Sequence, residues 1–240
     1  MPISVAGHPV RRLVVDDGST DSTATIAGDA GAEVLRFDSN RGLGAAVRAG
    51  LAAGVAHGAA AVVFCDADGE YAPEELGRLI APILEDRADY VVGSRFAGGR
   101  PRLMRFHRVM GNRVLTAWVR RMTGLPVTDG QSGFRALSPA AAADAEVIHD
   151  FNYAQVLTLD LVAKGFSYAE VPISYRFRTT GTSFVRLVPY LRQVIPAVRR
   201  QRRSSTAATD RPVGHLVPMG PTVAVADPIP NAAAWAATAD

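Results

Sequence analysis

An open α/β sheet, largely parallel and flanked by helices, is the fold this 240-residue chain predicts, and three observations predict it. Short valine-rich apolar runs alternate with segments of helical spacing. Each run stops at a cluster of Gly, Ser or Asp, the punctuation of a strand-to-helix turn. The chemically distinctive residues follow those stops: Asp16 and Asp17, Arg41 with Gly42 and Gly44, Asp66 and Asp68, then Ser94 with Arg95. Ligands of such sheets gather at the carboxyl ends of strands, so these residues converge on one edge.

The elements follow in order. "RRLVVDD" reads as a buried strand stopped by "DDGSTDST", where Asp and Ser favour a turn and a helix N-cap; a short helix over 22–30 follows. "AEVLRF" is a second strand, and "DSNRGLG" is a loop feeding an alanine-rich helix over 45–57. "AAAVVFCDAD" is a third strand. Pro73, with Glu74 and Glu75 behind it, is placed as the first-turn proline of a helix reaching Asp86. "DYVVGSRF" is a fourth strand, and apolar spacing predicts a helix over 108–122. "GLPVTDGQSGFRAL" is a loop entering a strand, a helix spans 152–163, and "SYAEVPISYRF" is the last strand, whose Pro172 argues for an edge or a bulge. Residues 1–203 read as one domain; residues 204–240, mostly Ala, Pro, Ser and Thr without periodicity, read as a disordered tail.

Composition narrows the functional classes. With 48% hydrophobic and 20% charged residues the chain suits a globular protein, and no apolar run approaches the roughly 18 residues that cross a bilayer. The N-terminal residues carry no secretory pattern, so cytoplasmic residence is the expectation. Cys65, the only cysteine, excludes an internal disulfide and reads as a small buried hydrophobe. Net charge is only +3, but between Asp89 and Asp129 eight arginines occur and no acid, and the stretch from Arg176 to Arg203 repeats the pattern. Guanidinium groups so distributed suit phosphates or an anionic surface, or merely form a solvated face. Nucleic acid is not expected, because the patches lack interleaved aromatics and a recognisable module.

The stretch "VVFCDADGEYAPEEL" poses the chemical question. In a strand Asp66 and Asp68 point to one side and Ala67 to the other, bringing two carboxylates to one point. Either water screens that pair or a cation sits between them.

The ordered set "VVDDGSTDST", "NRGLGAAVRAG", "VVFCDADGEYAPEEL", "VVGSRF", "GN" and "TDGQSGFRAL" resembles the family-2 glycosyltransferases of GT-A fold, in particular the polyprenyl-phosphate sugar transferase branch that includes dolichyl-phosphate mannosyltransferase. The resemblance spans residues 12–200. It implies that Asp66 and Asp68 hold Mg²⁺ or Mn²⁺ on the diphosphate of a nucleotide-sugar donor, the metal acting as a Lewis acid and transfer inverting the anomeric carbon. It sets Asp16 and Asp17 near the nucleoside, with Arg41 and Gly42 in a loop that closes on the base. Arg95 and Arg105, with Arg108 as the alternative second arginine, match the side chains that receive an acceptor phosphate. Such an acceptor is already ionised near neutral pH and needs no strong base. For a sugar hydroxyl acceptor the base is Asp129, whose bland role is to cap a turn. Asp68, Asp129 and Arg95 are therefore the candidate catalytic side chains. His107 and Trp118 carry no signal of their own.

Two further features bear on the reading. The segment 184–203 places apolar residues at helical spacing among arginines and suits peripheral contact with an anionic membrane or packing on the domain. The family's usual first strand and helix do not fit within "MPISVAGHPV", since a parallel crossover needs a dozen or more residues. A start codon assigned too late explains this better than a decayed gene. Glu70 stands where the family often has Gln. The rival functions are transfer to a glycan hydroxyl and a non-catalytic nucleotide-sugar-binding remnant.

Overall fold

The computed structural model describes residues 2–99, 104, 106–148 and 153–176. A small antiparallel hairpin, β1 (Ser4–Val5) and β2 (His8–Pro9), precedes β3 (Leu13–Asp16), helix α1 (Thr23–Asp29), β4 (Glu33–Arg36) and helix α2 (Leu43–Ala56). Then come β5 (Val62–Phe64), a 3₁₀ turn (Pro73–Glu75) running into α3 (Leu76–Leu84), β6 (Tyr90–Ser94) and α4 (Phe106–Thr123). The described chain closes with β7 (Arg135–Leu137), α5 (Pro139–Asp144), α6 (Ala154–Ala163) and β8 (Tyr168–Pro172). The expected helices and strands over these residues are present. The hairpin and α5, which Ser138 caps by accepting the Ala141 N–H, are additions. The segment 184–203, the tail 204–240 and Arg105 lie outside the described residues.

The α/β fold is as expected, but the sheet is mixed. β3 pairs with β4 in parallel, whereas the four-stranded sheet runs β5-β7-β6-β8, with β7 antiparallel to both neighbours and β6 parallel to β8. The reason is local: the loop before β7 returns to the carboxyl end of β6, where the Arg95 backbone N–H donates to Asp129 at 3.1 Å. A strand starting there has to run backwards. Pro172 ends β8, an edge strand, where a missing N–H is tolerated.

The β3–β4 pair is not hydrogen-bonded to the larger sheet. Helix α2 packs against both. Its small residues allow the approach: a Cβ at Gly50 would touch Val15, and one at Gly54 would press to 2.7 Å on Val62.

Alternation along β6 feeds two cores. Tyr90 and Val92 join Leu137, Tyr168 and α6 on one face, and Val91 joins Ala136, Ala169, Val171 and α3 on the other. Because α6 is buried from Ala154 to Val162, its pattern is apolar on nearly every side. Both faces covered, the sheet leaves its carboxyl edge as the open end.

Candidate active site

At the end of β3, Asp16 is buried, accepts the Ser19 N–H at 2.9 Å and faces Arg36 at 3.4 Å. The Ser19 hydrogen bonds hold its carboxyl below the usual range. Its Oδ2 is buried without a hydrogen-bond donor. Asp17 turns the other way and holds the following loop, accepting Arg41 N–H at 2.6 Å and Gly42 N–H at 2.9 Å. The Arg41 guanidinium lies over Phe37, 4.8 Å from the ring centre. Gly18, at φ 74°, is required here: any Cβ would reach 2.5 Å from the Ser39 backbone.

Strand β5 ends at Phe64, so strand alternation is not what joins Asp66 to Asp68. A tight turn does it instead: Asp68 accepts the Glu70 N–H at 3.0 Å, and Gly69 takes φ 75°. Although Asp66 as a residue is exposed, its carboxylate turns in against Gly133, where a Cβ would lie 2.4 Å from Oδ2. Desolvation there pushes its carboxyl up to about 6, and the charges of Asp68 and Glu70 add to the rise. A proton is thus held in the metal-free protein to well above the usual carboxylate range. Cys65, desolvated beside these acids, has its thiol pushed up to about 11 and is inert, as expected of a packing residue.

This crowding fits a hard divalent cation, whose preferred ligands are carboxylate oxygens. Among the described residues no group of three His, Cys, Asp or Glu side chains encloses an ion, so a cation held by Asp66 and Asp68 leaves coordination positions for oxygens of a ligand. A cation must displace the proton of Asp66 below its raised value. Mn²⁺ affinity is therefore expected to be level near neutral pH and to fall by up to about tenfold per unit as pH drops below about 6, a dependence titration followed by electron paramagnetic resonance measures.

The end of β6 carries the most buried electrostatics. Arg95 forms a two-pronged ion pair with Asp129, Nε to Oδ2 at 2.7 Å and Nη2 to Oδ1 at 3.0 Å. Asn112 Nδ2 donates to Asp129 at 2.7 Å, and Thr116 locks Asn112 while accepting the Gly130 N–H at 3.0 Å. Burial alone would raise Asp129, but Arg95 outweighs it and holds the carboxyl below the usual range. With both oxygens engaged and no exposure, Asp129 is not built as a base. Its geometry is that of a holder of Arg95, which revises the role expected for a hydroxyl acceptor. Glu170 on β8 fixes the same loop, accepting from the Thr128 N–H at 2.9 Å and from Tyr168 at 2.6 Å.

Glu70 lies between two arginines. Its Oε1 accepts from Arg108 Nη1 at 3.0 Å, and its Oε2 faces Arg95 Nη1 at 4.0 Å. Arg108 also donates to the Tyr175 hydroxyl at 3.1 Å. The loop of Glu70 thus brings a carboxylate to the place where two guanidinium groups converge, next to Asp68.

Arg135 escaped the sequence reading. It is fully buried and donates to the carbonyls of Ser132 at 2.8 Å and Ala154 at 2.7 Å, to Thr158 at 3.0 Å and to the Tyr90 hydroxyl. The rings of Tyr90 and Tyr153 lie 5.8 and 5.7 Å away. Its charge under the 132–134 turn draws the Asp66 carboxyl down and tempers the acidic crowding. The only signal was an arginine directly after the "SGF" turn. A cavity of about 470 Å³, lined by Phe96, Asn112, Arg113, Thr116 and Arg120 among others, opens on the α4 side of the Asp129 network and includes neither Asp66 nor Asp68.

Comparison with known proteins gives the family and the fold. Residues 6–142 match the family described as "Glycosyl transferase family 2". The chain is 35% identical over 185 residues to the polyprenol monophosphomannose synthase of Mycolicibacterium smegmatis, covering 72% of this chain and 69% of that protein. It is 36% identical over 181 residues to the undecaprenyl-phosphate mannosyltransferase of Micrococcus luteus, covering 71% and 74%. Glucosyl-3-phosphoglycerate synthase from Mycobacterium tuberculosis, solved with phosphoglyceric acid, superposes with TM-score 0.56 at 25% identity over 80% of this chain and 69% of that one. A second structure of that enzyme, with Mn²⁺, uridine diphosphate and its product, gives TM-score 0.56 at 23% identity over 86% and 72%. This chain, with its α/β GT-A fold, belongs to glycosyl transferase family 2 and is a glycosyltransferase.

Proposed function

We propose that the chain transfers a sugar, with inversion, from a nucleotide-diphosphate sugar to a phosphate-bearing acceptor, polyprenyl phosphate. The observation that carries the acceptor class is the convergence of Arg95 and Arg108 on one carboxylate beside Asp66 and Asp68. A seat in which Glu70 lies between two guanidinium groups accepts a phosphate by the same forked hydrogen bonds. The relatives named for polyprenol and undecaprenyl phosphate support the lipid form, and the neighbour solved with Mn²⁺ and uridine diphosphate supports the donor and the metal.

Asp66 and Asp68 would hold Mg²⁺ or Mn²⁺, which when bound would supply Lewis-acid stabilisation of a departing diphosphate. Asp16, whose buried Oδ2 accepts no hydrogen bond and faces only Arg36, and the loop that Asp17 fixes through Arg41 and Gly42 bind the nucleoside side. Arg95 and Arg108 orient the acceptor phosphate so that one oxygen attacks the anomeric carbon from the face opposite the leaving diphosphate. The new carbon–oxygen bond forms as the old one breaks, and the configuration inverts. An ionised phosphate brings its own nucleophile, in keeping with an Asp129 engaged elsewhere. The site works at the cytoplasmic face of the membrane that carries the lipid.

Incubation with radiolabelled nucleotide sugars, Mn²⁺ and polyprenyl phosphate tests the reading: organic-extractable label is expected, and label found only in water-soluble glycan overturns it. Glu70 competes with the acceptor for the two arginines. Glu70→Gln is therefore expected to bind an alkyl phosphate about tenfold more tightly by calorimetry, since one neutralising charge in a shielded site is worth on the order of 1–2 kcal/mol.

A further inference from the structure

The two sheets meet at an open seam. Helix α2 packs on both β3 and β5, while β4 lies against α1, so β3 and β5 are the strands that face each other across the join. Yet among the described residues β3 pairs only with β4, and β5 only with β7. Gly50 and Gly54 stand about 6 Å apart along α2. A Cβ on them would lie 3.6 Å from Val15 and 2.7 Å from Val62. Strands that meet one helix face so closely without pairing leave room for a single strand between them, whose two ladder spacings total about 9.6 Å. Leu13, Val14 and Val15 of β3, with Val63 and Phe64 of β5, are accordingly only half-buried, whereas β6 and β7 are buried throughout. The hairpin sets Val5 and Val10 against the core on the α3 side but pairs only with itself. Two facing edges with apolar side chains are a template for a further strand.

We infer that residues 222–226 of this same chain, "TVAVA", enter the seam as a strand between β3 and β5. They lie outside the described residues, and their chemistry selects them. A strand covered by α2 on one side and by α3 and the hairpin on the other has to be uncharged on both faces. Over 177–240 this is the run of five that carries two valines with no charge, proline or glycine; 184–188 is broken by Arg186 and 194–198 by Pro196. Alternation sets Val223 and Val225 on one face and Thr222, Ala224 and Ala226 on the other. The small face suits α2, which Gly50 and Gly54 bring close to the sheet. The flanks repeat a unit the chain already uses. "RLVVDD" is followed by a turn, the cap position Ser22 and α1; "TVAVAD" is followed by Pro228 and Pro230, Asn231 and an alanine-rich run. The inference takes 222–226 out of the disordered tail expected of 204–240, and supplies from within the chain a strand that "MPISVAGHPV" does not. With the seam closed, Asp16 at the end of β3 and Asp66 beyond β5 are held by one continuous ladder rather than through α2 alone. None of this rests on the acceptor reading above.

Hydrogen exchange of the full chain, read by mass spectrometry without donor, metal or acceptor, tests it. In the wild type the amides of 222–226 are expected to exchange at least about 100-fold more slowly than those of a free chain. Val223→Asp with Val225→Asp should return them to the free-chain rate and speed exchange of β3 and β5 at least about tenfold, with β6 and β7 little changed. A tail detached from the sheet has no means of producing that remote effect. Val223→Thr with Val225→Thr, β-branched and uncharged, should keep most of the protection. Free-chain exchange of 222–226 in the wild type overturns the inference without recourse to any variant. Unchanged exchange of β3 and β5 in the aspartate variant overturns it as well. Slow exchange of the β3 and β5 edges beside a fast 222–226 does so too, and shows that the hairpin or another segment lies in the seam. Protection of 222–226 found only at the mass of a dimer by light scattering places a second copy's strand there and overturns the assignment to the same chain.

Discussion

Asp129→Asn is expected to lower the unfolding free energy by about 3–5 kcal/mol, although only one oxygen changes to an amide, because a buried charge loses its partner. The Arg95 guanidinium is enclosed and donates two of its hydrogen bonds to that carboxylate. An asparagine offers one acceptor and presents its amide hydrogens to other donors, so an N–H is left facing an N–H. The pH dependence has a definite sign. Asp129 is depressed in the fold, so its contribution is complete above the unfolded value of about 4 and fades as pH falls through the lower folded value. The wild-type advantage in denaturant titrations should therefore hold from neutral pH to about 4 and shrink below it. Turnover should fall about 10²-fold through misplacement of Arg95. If Asp129 were the base, the variant would instead keep its stability and lose the acid limb of its pH–rate profile.

The positions of the site were legible in the sequence and its pairings were not. Asp16, Asp66 and Arg95 each follow a valine-rich run that stops at a turn, and that local punctuation places each at the carboxyl end of a strand, Asp16 on the β3–β4 pair and the other two on the larger sheet. The partners are remote: Arg95 with Asp129 is 34 residues away, Arg108 with Glu70 38, and Arg135 with Tyr90 45. No local pattern encodes such contacts. Asp129 therefore read as a spare carboxylate, when tertiary structure had already consumed it. Arg135 read as nothing, since a buried cation bonded to carbonyls and hydroxyls leaves no acidic neighbour in the sequence. The reversed β7 was hidden for a similar reason. Its three-residue strand resembles the others, and only the return of the preceding loop to Arg95 fixes its direction. Asp66 and Asp68 lie in a turn beyond the strand, so the alternation expected of them within it does not apply.

Gly133→Ala is expected to abolish tight Mn²⁺ binding and to reduce turnover by about 10²–10³-fold while leaving the fold intact. The added methyl would stand 2.4 Å from Asp66 Oδ2, 3.0 Å from its Cγ and 3.2 Å from the Tyr71 hydroxyl. Gly133 has no positive φ, so the backbone accepts alanine and the conflict is chiefly with the carboxylate, the Tyr71 hydroxyl having to give by only a few tenths of an ångström. Asp66 has to rotate away, because the 133 backbone is anchored by its N–H to the Tyr71 hydroxyl at 2.6 Å and Arg135 holds the turn from beneath. An exposed aspartate gives way cheaply, so the unfolding free energy should change by less than about 1 kcal/mol. What is lost is the joint aim of Asp66 and Asp68 at one ion. The coupling is measurable: in an Asp66→Ala background the Gly133→Ala change should have little further effect on Mn²⁺ affinity, since the group it displaces is already gone. Full additivity in that cycle, or wild-type Mn²⁺ affinity in Gly133→Ala alone, would mean that the carboxylate packed against Gly133 is not a metal ligand.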